Sequence, residues 1–230
     1  VLSIMPVPGL PEVRQGDVLA DLIAGHAELA DGDVVVVTQK IVSKAEGRLA
    51  PVDPDDPNSH HPLVLAEAVR VLRQRGDLLV TETRHGFVCA NSGVDRSNVD
   101  PGWASLLPLD SDRSARRIRD GLRARAGVTV GVIVSDTFGR PWRKGLTDVA
   151  IGCAGVAAVL DLRGEVDANG RELHATAVCV ADELAAAAEL VMGKSSSVPV
   201  AVIRGVDPAW LRESSVRDEI VRSHAEDLFR

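Results

Sequence analysis

Three short runs of uninterrupted apolar, largely β-branched residues mark the chain: Val34 to Val37, Val130 to Val134 and Pro199 to Ile203. Runs this short and this continuous predict strands buried on both faces, whereas helices need longer, periodic segments. Between them the period changes. Asp17 to Leu29 carries Val18, Leu19, Leu22 and Ile23 at helical spacing, and Leu63 to Arg75 reads as a helix stopped at Gly76. Asp110 to Arg125 predicts a strongly cationic amphipathic helix, Asp182 to Met192 an Ala/Leu helix with an Asp start, and Asp207 to Arg222 a polar closing helix. Leu78 to Thr83 and Phe87 to Ala90 read as paired strands around Arg84-His85-Gly86. Asp167-Ala168-Asn169-Gly170 reads as a hairpin turn between two strands. Leu10 to Gly16 and the Pro/Asp/His-rich Pro51 to Pro62 are loops, and Asp31-Gly32-Asp33 is a turn. Hairpins mixed with helices predict an α+β (mixed α/β) fold, not a regular βαβ repeat.

The strand at Val130 to Val134 delivers Ser135, Asp136 and Thr137 at its end. Phe138 to Gly145, with Arg140, Pro141, Trp142, Arg143 and Lys144, reads as a basic, aromatic loop that neither continues the strand nor starts a helix. A carboxylate and a hydroxyl followed by three cations suit a divalent metal with a phosphorylated ligand, because hard oxygens hold such metals and Arg and Lys neutralise phosphates. An ordinary turn in which Asp136 caps a neighbouring amide fits the same residues.

The bulk properties narrow the classes. The 230 residues suffice for one large domain or two small ones, and 33 acidic against 26 basic residues give a net charge of −7. That balance argues against a nucleic-acid or anionic-membrane surface while leaving room for a local anion site. Cys89, Cys153 and Cys179 lie far apart without metal or disulfide spacing and read as small buried hydrophobes in a reducing cytoplasm. No run approaches membrane-spanning length, and no signal peptide opens the chain. The first residue is Val1, which reads as a processed chain or a fragment.

Three further clusters carry chemistry. Lys40 and Lys44 follow the strand at Val34 to Val37 four residues apart, suited to gripping phosphates or equally to a solvated helix start. In Cys89 to Asn98, Asp95 and Asn98 offer a carboxylate and an amide, although an Asx-turn with an N-cap explains them too. Met192 to Pro199 is a small polar loop containing Gly193-Lys194-Ser195. It is not a P-loop, because position 188 is alanine and the loop follows its helix. Its small residues could still wrap a phosphate or purine with backbone amides. No metal-ligand spacing links the six histidines, His60-His61 included.

Six strings in order carry a resemblance: GLPEV (Gly9–Val13), DGDVVVVTQKIVSKAEGR (Asp31–Arg48), ETRHGFVCANSGVDRSN (Glu82–Asn98), VSDTFGRPWRKGLTDVAIG (Val134–Gly152), DLRGEVDANGREL (Asp161–Leu173) and ELVMGK (Glu189–Lys194). Together they resemble the coenzyme F420-0:γ-glutamyl ligase family, in particular its actinobacterial members, from about Ile4 to Gly205. The resemblance implies mixed, largely antiparallel sheets with flanking helices in an intertwined, cytoplasmic homodimer whose site lies in an interface groove. It implies a GTP-dependent ligase that adds L-glutamate to the deazaflavin F420-0 or its dehydro form, with Mn²⁺ or Mg²⁺ and K⁺. GTP phosphorylates the terminal carboxylate of the lactyl phosphate arm, and the glutamate amine displaces phosphate from the acyl phosphate.

The resemblance also implies roles. Asp95, Asp136 and Thr137 bind metal, with Asp95, Asp136 and Lys44 central to catalysis. Leu10, Pro11, Glu12, Val13, Gln39, Lys40, Lys44 and Asn98 contact the nucleotide, and Met192, Gly193, Lys194, Ser195, Ser196, Ser197, Val198 and Pro199 close over it. Arg140, Arg143 and Lys144 are our own addition, for the anionic arm. Many archaeal members carry Gln where this chain has Lys194, and a lysine ammonium has no lone pair for a metal. Lys194 is therefore assigned to the nucleotide. The ligase domain is expected over residues 1–206 and a helical segment over 207–230. Ala225 to Arg230 resembles the junction to a nitroreductase-like flavin domain, none of which is present, so no flavin site is expected. Two rivals stand against the ligase: a metal-dependent phosphohydrolase built on Asp95 and Asp136, and a non-catalytic deazaflavin or nucleotide carrier.

Overall fold

The computed structural model describes residues 1–227. Its strands are β1 (Ser3–Pro6), β2 (Val34–Thr38), β3 (Leu49–Pro51), β4 (Ala68–Arg75), β5 (Leu78–Thr83), β6 (Val88–Ala90), β7 (Trp103–Ser105), β8 (Gly131–Arg140), β9 (Arg143–Ala154), β10 (Leu160–Asp161), β11 (Ala177–Val178) and β12 (Val200–Arg204). The helices are α1 (Leu19–Ala24), α2 (Gln39–Ala45), α3 (His61–Glu67), α4 (Ser111–Ala126), α5 (Val180–Met192) and α6 (Val216–Glu219). The central sheet runs β1-β12-β2-β8-β9; only β2 and β8 are parallel, and the other pairs are antiparallel. A three-stranded sheet β4-β5-β6 and the pairs β3-β7 and β10-β11 complete an α+β fold with mostly antiparallel pairing.

The apolar strands split their side chains by period two. Val35, Val37, Val132, Val134 and Val202 pack with Leu19, Ile23, Ile41, Ala115, Ile118 and Leu122 from α1, α2 and α4. Val34, Val36, Ile133, Ala201 and Ile203 face the other way, against Val180, Leu184, Ala188 and Met192 of α5. Strands covered on both faces are why these runs never alternate. Helix α4 begins where Asp110 accepts from the Arg113 amide at 2.8 Å and ends at Gly127, φ +70°. It sits close on β9: a Cβ at Gly152 would lie 2.3 Å from the Ser111 carbonyl carbon.

Four expectations are corrected. The helix expected over Asp17 to Leu29 is only α1, closed at Gly25, whose amide bonds back to Asp21. The helix expected over Leu63 to Arg75 is α3 followed by strand β4, which pairs with β5 from Ala68↔Thr83 to Arg75↔Leu78 around Gly76 at φ +58°. Nearly every β4 side chain is exposed or half-exposed, so its apolar spacing had no core to serve as a helix, and the hairpin ladder prevails. The basic stretch Phe138 to Gly145 is not a loop: β8 runs on to Arg140 and pairs with β9, turning at Pro141-Trp142 with Trp142 at φ +58°. The closing helix over Asp207 to Arg222 is a 3₁₀ turn, Pro208–Trp210, and the short α6. Asp207 caps Ala209, and Ser215 caps Asp218. Of the junction-like Ala225 to Arg230, residues 228–230 lie outside the described residues. Cys89 and Cys153 are buried and Cys179 half-buried, and burial pushes all three thiols up to about 12. No helix among the described residues is long and apolar enough to cross a membrane.

Candidate functional site

Topology gathers the polar segments at one end of the central sheet. The parallel pairing of β2 with β8 ends at Thr38↔Ser135, so Gln39 and Lys40 stand next to Asp136 and Thr137. Antiparallel β12 begins there (Val200↔Val37), which brings in the loop that precedes it. The chain leaving β1 passes the same end, since the Val7 amide donates to the Val200 carbonyl, and it leads to Leu10–Val13. Asp95 and Asn98 arrive from outside the sheet, Asp95 bridging to Ser105.

These segments wall one cavity of about 890 Å³, within the ~300–1,000 Å³ common for ligand sites. Leu10, Pro11, Glu12, Val13, Gln39, Lys40, Lys44, Asp95, Asn98, Asp136 and Thr137 all line it, as do Gly193, Lys194, Ser195, Ser197, Val198 and Pro199. Gln39 is nearly buried and donates to Ser43 Oγ at 2.6 Å and to the Leu106 carbonyl at 3.1 Å. Met192 is wholly in the core, and the Ser196 hydroxyl turns back to the Met192 carbonyl, so these two anchor the loop and do not line the cavity. Arg140, Arg143 and Lys144 stand exposed at the β8–β9 tip, outside the wall, although Leu146 of the same hairpin lines it.

Cations and carboxylates alternate within the cavity. Lys40 Nζ lies 2.6 Å from Asp95 Oδ2 and also donates to the Ser97 carbonyl and hydroxyl at 2.6 and 2.7 Å. Burial alone would raise the Asp95 carboxyl, but Lys40 and Ser97 outweigh it and hold the group below its usual range. Lys44 pairs with Glu12. On the other side Lys194 Nζ reaches Asp148 Oδ1 and Glu189 Oε1, each at 2.9 Å, and donates to the Thr137 hydroxyl. Burial would lower the Lys194 ammonium, yet Asp148 and Glu189 raise it. Among the described residues Asp136 has no ion-pair partner of its own. Burial drives its carboxyl up to about 7, the Thr137 amide opposes this, and the charges of Asp95 and Asp148 add to the rise.

Asp148 and Glu189 were missed in the sequence. Asp148 is buried, stands opposite Thr137 in the β8–β9 register, and accepts from Ser135 Oγ at 3.1 Å and Thr137 Oγ1 at 2.6 Å. Reading Phe138 to Gly145 as a hairpin would have found it. Glu189 lies one turn before the loop, and its buried Oε2 has no hydrogen-bond partner. Among the described residues no ready-made cluster of three or more His, Cys, Asp or Glu stands in metal-holding geometry. The donor chemistry nevertheless fits a hard divalent cation, because Asp136 is a carboxylate whose burden of burial and like charge such an ion would relieve.

The family described as F420-0:Gamma-glutamyl ligase matches residues 9–205. The coenzyme F420:L-glutamate ligase of Methanopyrus kandleri is 45% identical over 246 aligned positions, covering 100% of this chain and 98% of that protein. Its counterpart in Methanothermobacter thermautotrophicus is 42% identical, covering 100% and 99%, and that of Archaeoglobus fulgidus 40% identical, covering 100% and 96%.

Proposed function

The chain belongs to the F420-0:γ-glutamyl ligase family, and from that premise we propose that it is a GTP-dependent coenzyme F420:L-glutamate ligase working through an acyl phosphate. The ligase activity and its place in F420 biosynthesis follow from relatives of that name across the full chain. The observation that carries the finer reading is one cavity in which three lysines pair with four of the lining carboxylates beside a loop of small residues.

In this reading the terminal carboxylate oxygen of F420-0 attacks the γ-phosphorus of GTP, and the bond to GDP breaks. The glutamate amine then attacks the acyl carbon, loses a proton and expels inorganic phosphate. Both steps gather negative charge on oxygens, so positioned cations supply most of the help. Lys40, Lys44 and Lys194 are held at the wall by Asp95, Glu12 and Asp148 and can exchange those partners for phosphate oxygens. Leu10 to Val13, Gln39 and Asn98 border the nucleotide, and Gly193 to Pro199 close on it. Asp95, Asp136 and Thr137 would hold Mn²⁺ or Mg²⁺, with K⁺ as a further cation. When bound, the metal supplies Lewis-acid polarisation of phosphoryl oxygens. Arg140, Arg143 and Lys144 are proposed for the anionic arm of the acceptor. The protein is proposed to act in the cytoplasm as a homodimer, supported by apolar side chains left exposed on the β4–β5 and β8–β9 hairpins.

Mass spectrometry of F420-0 incubated with the protein, L-glutamate, GTP and Mn²⁺ tests the reading. A product heavier by one or more glutamyl units, absent without GTP, is expected. GTP loss without a heavier deazaflavin would mean a phosphohydrolase, and binding of ligands without any turnover a carrier.

A further inference from the structure

A second cavity, of about 470 Å³, adjoins the first, its outer wall formed by Arg14, Gln15, Gly47, Leu49 and Trp103. Glu12, Val13, Lys44, Val99 and Asp100 line both, so the two spaces meet across the Lys44–Glu12 ion pair. Of the residues assigned to the nucleotide, only Glu12, Val13 and Lys44 touch the second cavity; Leu10, Pro11, Gln39, Asn98 and the 193–199 loop do not.

The wall of this second cavity has the chemistry of ring recognition. Trp103 sits in β7 opposite Pro51 with 42% of its surface exposed, instead of entering the core. Among the described residues it is the only aromatic side chain lining the cavity, in a chain with three Trp, three Phe and no Tyr. An indole face stacks readily on a flat heteroaromatic ring. Around it the side chains of Arg14, Gln15 and Asp100 make no hydrogen bond or ion pair among the described residues, so a guanidinium, an amide and a carboxylate remain available. That set complements a ring edge on which carbonyl acceptors flank an N–H donor. Gly47 protects the arrangement: a Cβ there would fall 2.5 Å from Gln15 Nε2.

The ligase reading requires two substrates with flat rings, each sending an anionic chain to the same lysines. We infer that the second cavity is the subsite for the deazaflavin ring of the acceptor, stacked on Trp103, with its arm passing Lys44 into the first cavity. The terminal carboxylate of the arm then enters the first cavity, beside Lys40, Lys194, Asp95 and Asp136. The assignment rests on the proposed ligase function.

Steady-state kinetics with F420-0 and GTP varied in turn, on wild type, Trp103→Ala and Trp103→Phe, test it alongside equilibrium binding of F420-0 read by its own fluorescence. Loss of the stack should raise KM and Kd for F420-0 about tenfold or more, leave KM for GTP within twofold, and be largely reversed by phenylalanine. A rise for GTP alone would place the nucleobase there and overturn the assignment, as would equal rises for both substrates or no change in either. Gln15→Leu, at an exposed loop position, should raise KM for F420-0 in the same selective way and decides the matter if the Trp103 variants melt early. Wild-type product formation separately checks the ligase function. Should it fail, the fluorescence titration of F420-0 against Trp103→Ala still decides the subsite.

Discussion

The carboxylates around the first cavity differ in what neutralises them, and that sets what each substitution should do. Asp95 has Lys40 and Asp148 has Lys194, whereas Asp136 has no ion-pair partner among the described residues, and only the Thr137 amide and the more distant charge of Lys40 oppose its burial. Asp136→Asn keeps the shape and removes a charge that the metal-free fold tolerates poorly. We expect it to lower ligase turnover roughly 100-fold or more, the scale of losing one positioned electrostatic partner, while melting no lower than wild type in metal-free buffer. Calorimetry beside the mass-spectrometric assay separates the two effects; normal turnover would remove Asp136 from the site. Asp148→Asn is expected to behave oppositely in stability. It removes the charge that pairs with Lys194 and turns one acceptor oxygen into an NH2 donor, so Ser135, Thr137 and Lys194 can no longer all be served, which should cost about 1–3 kcal/mol and also loosen the 193–198 loop, seen as faster proteolysis after Lys194. Asp95 and Asp136 were legible because each stands where polar residues interrupt apolar sequence. Asp148 was not, because its role depends on a cross-strand partner eleven residues earlier.

Elements were legible where local signals and burial agree. β2, β8 and β12 lie in the middle of the central sheet, between helices, and their apolar runs say so; α4 carries its own cap and glycine stop. β4 was illegible because an exposed hairpin strand has no burial period to read, and the closing helix because its short turns are set by tertiary contacts. The latter segment is tied down by Arg212, which reaches Glu219 Oε1 at 2.6 Å and Oε2 at 2.8 Å, and by the Val159 amide, 3.1 Å from Oε2. The Arg212 hydrogen bonds hold the Glu219 carboxyl below its ordinary 4.5 despite some burial. A carboxyl lowered on folding adds stability above its unfolded pKa and loses it as pH falls through the folded one. Glu219→Gln should therefore be less stable than wild type at pH 7, by up to about 1 kcal/mol for so exposed a pair. That gap should shrink steadily below about pH 4.5, the ordinary carboxyl value. Urea midpoints of both proteins from pH 7 to 3 check this, and a gap constant across the range would refute it.

At the scale of the molecule, what no single element explains is the apolar surface left over. β4 is the edge of its sheet, eight residues long, with Val69 65% exposed and Val71 close to half. An edge of that length invites pairing unless something covers it, and three arginines along β4 only partly blunt it. The β8–β9 hairpin reaches out to Trp142, 88% exposed, with Leu146 exposed below it. Two apolar hairpins, one an open edge and one an arm, suit a second copy of the same chain, and Leu146 links the arm to the cavity wall. We therefore expect analytical ultracentrifugation to give twice the chain mass at micromolar concentration. Joint replacement Val69→Lys and Val71→Lys puts like charges along the edge without touching the core, so it should halve the sedimenting mass while leaving the helical circular dichroism intact. If the arm of one copy helps complete the groove of the other, ligase turnover should fall with the mass and recover as protein concentration is raised. A monomeric wild type would remove the dimer from the proposal, and a monomeric variant with full turnover would show that each cavity is complete within one chain.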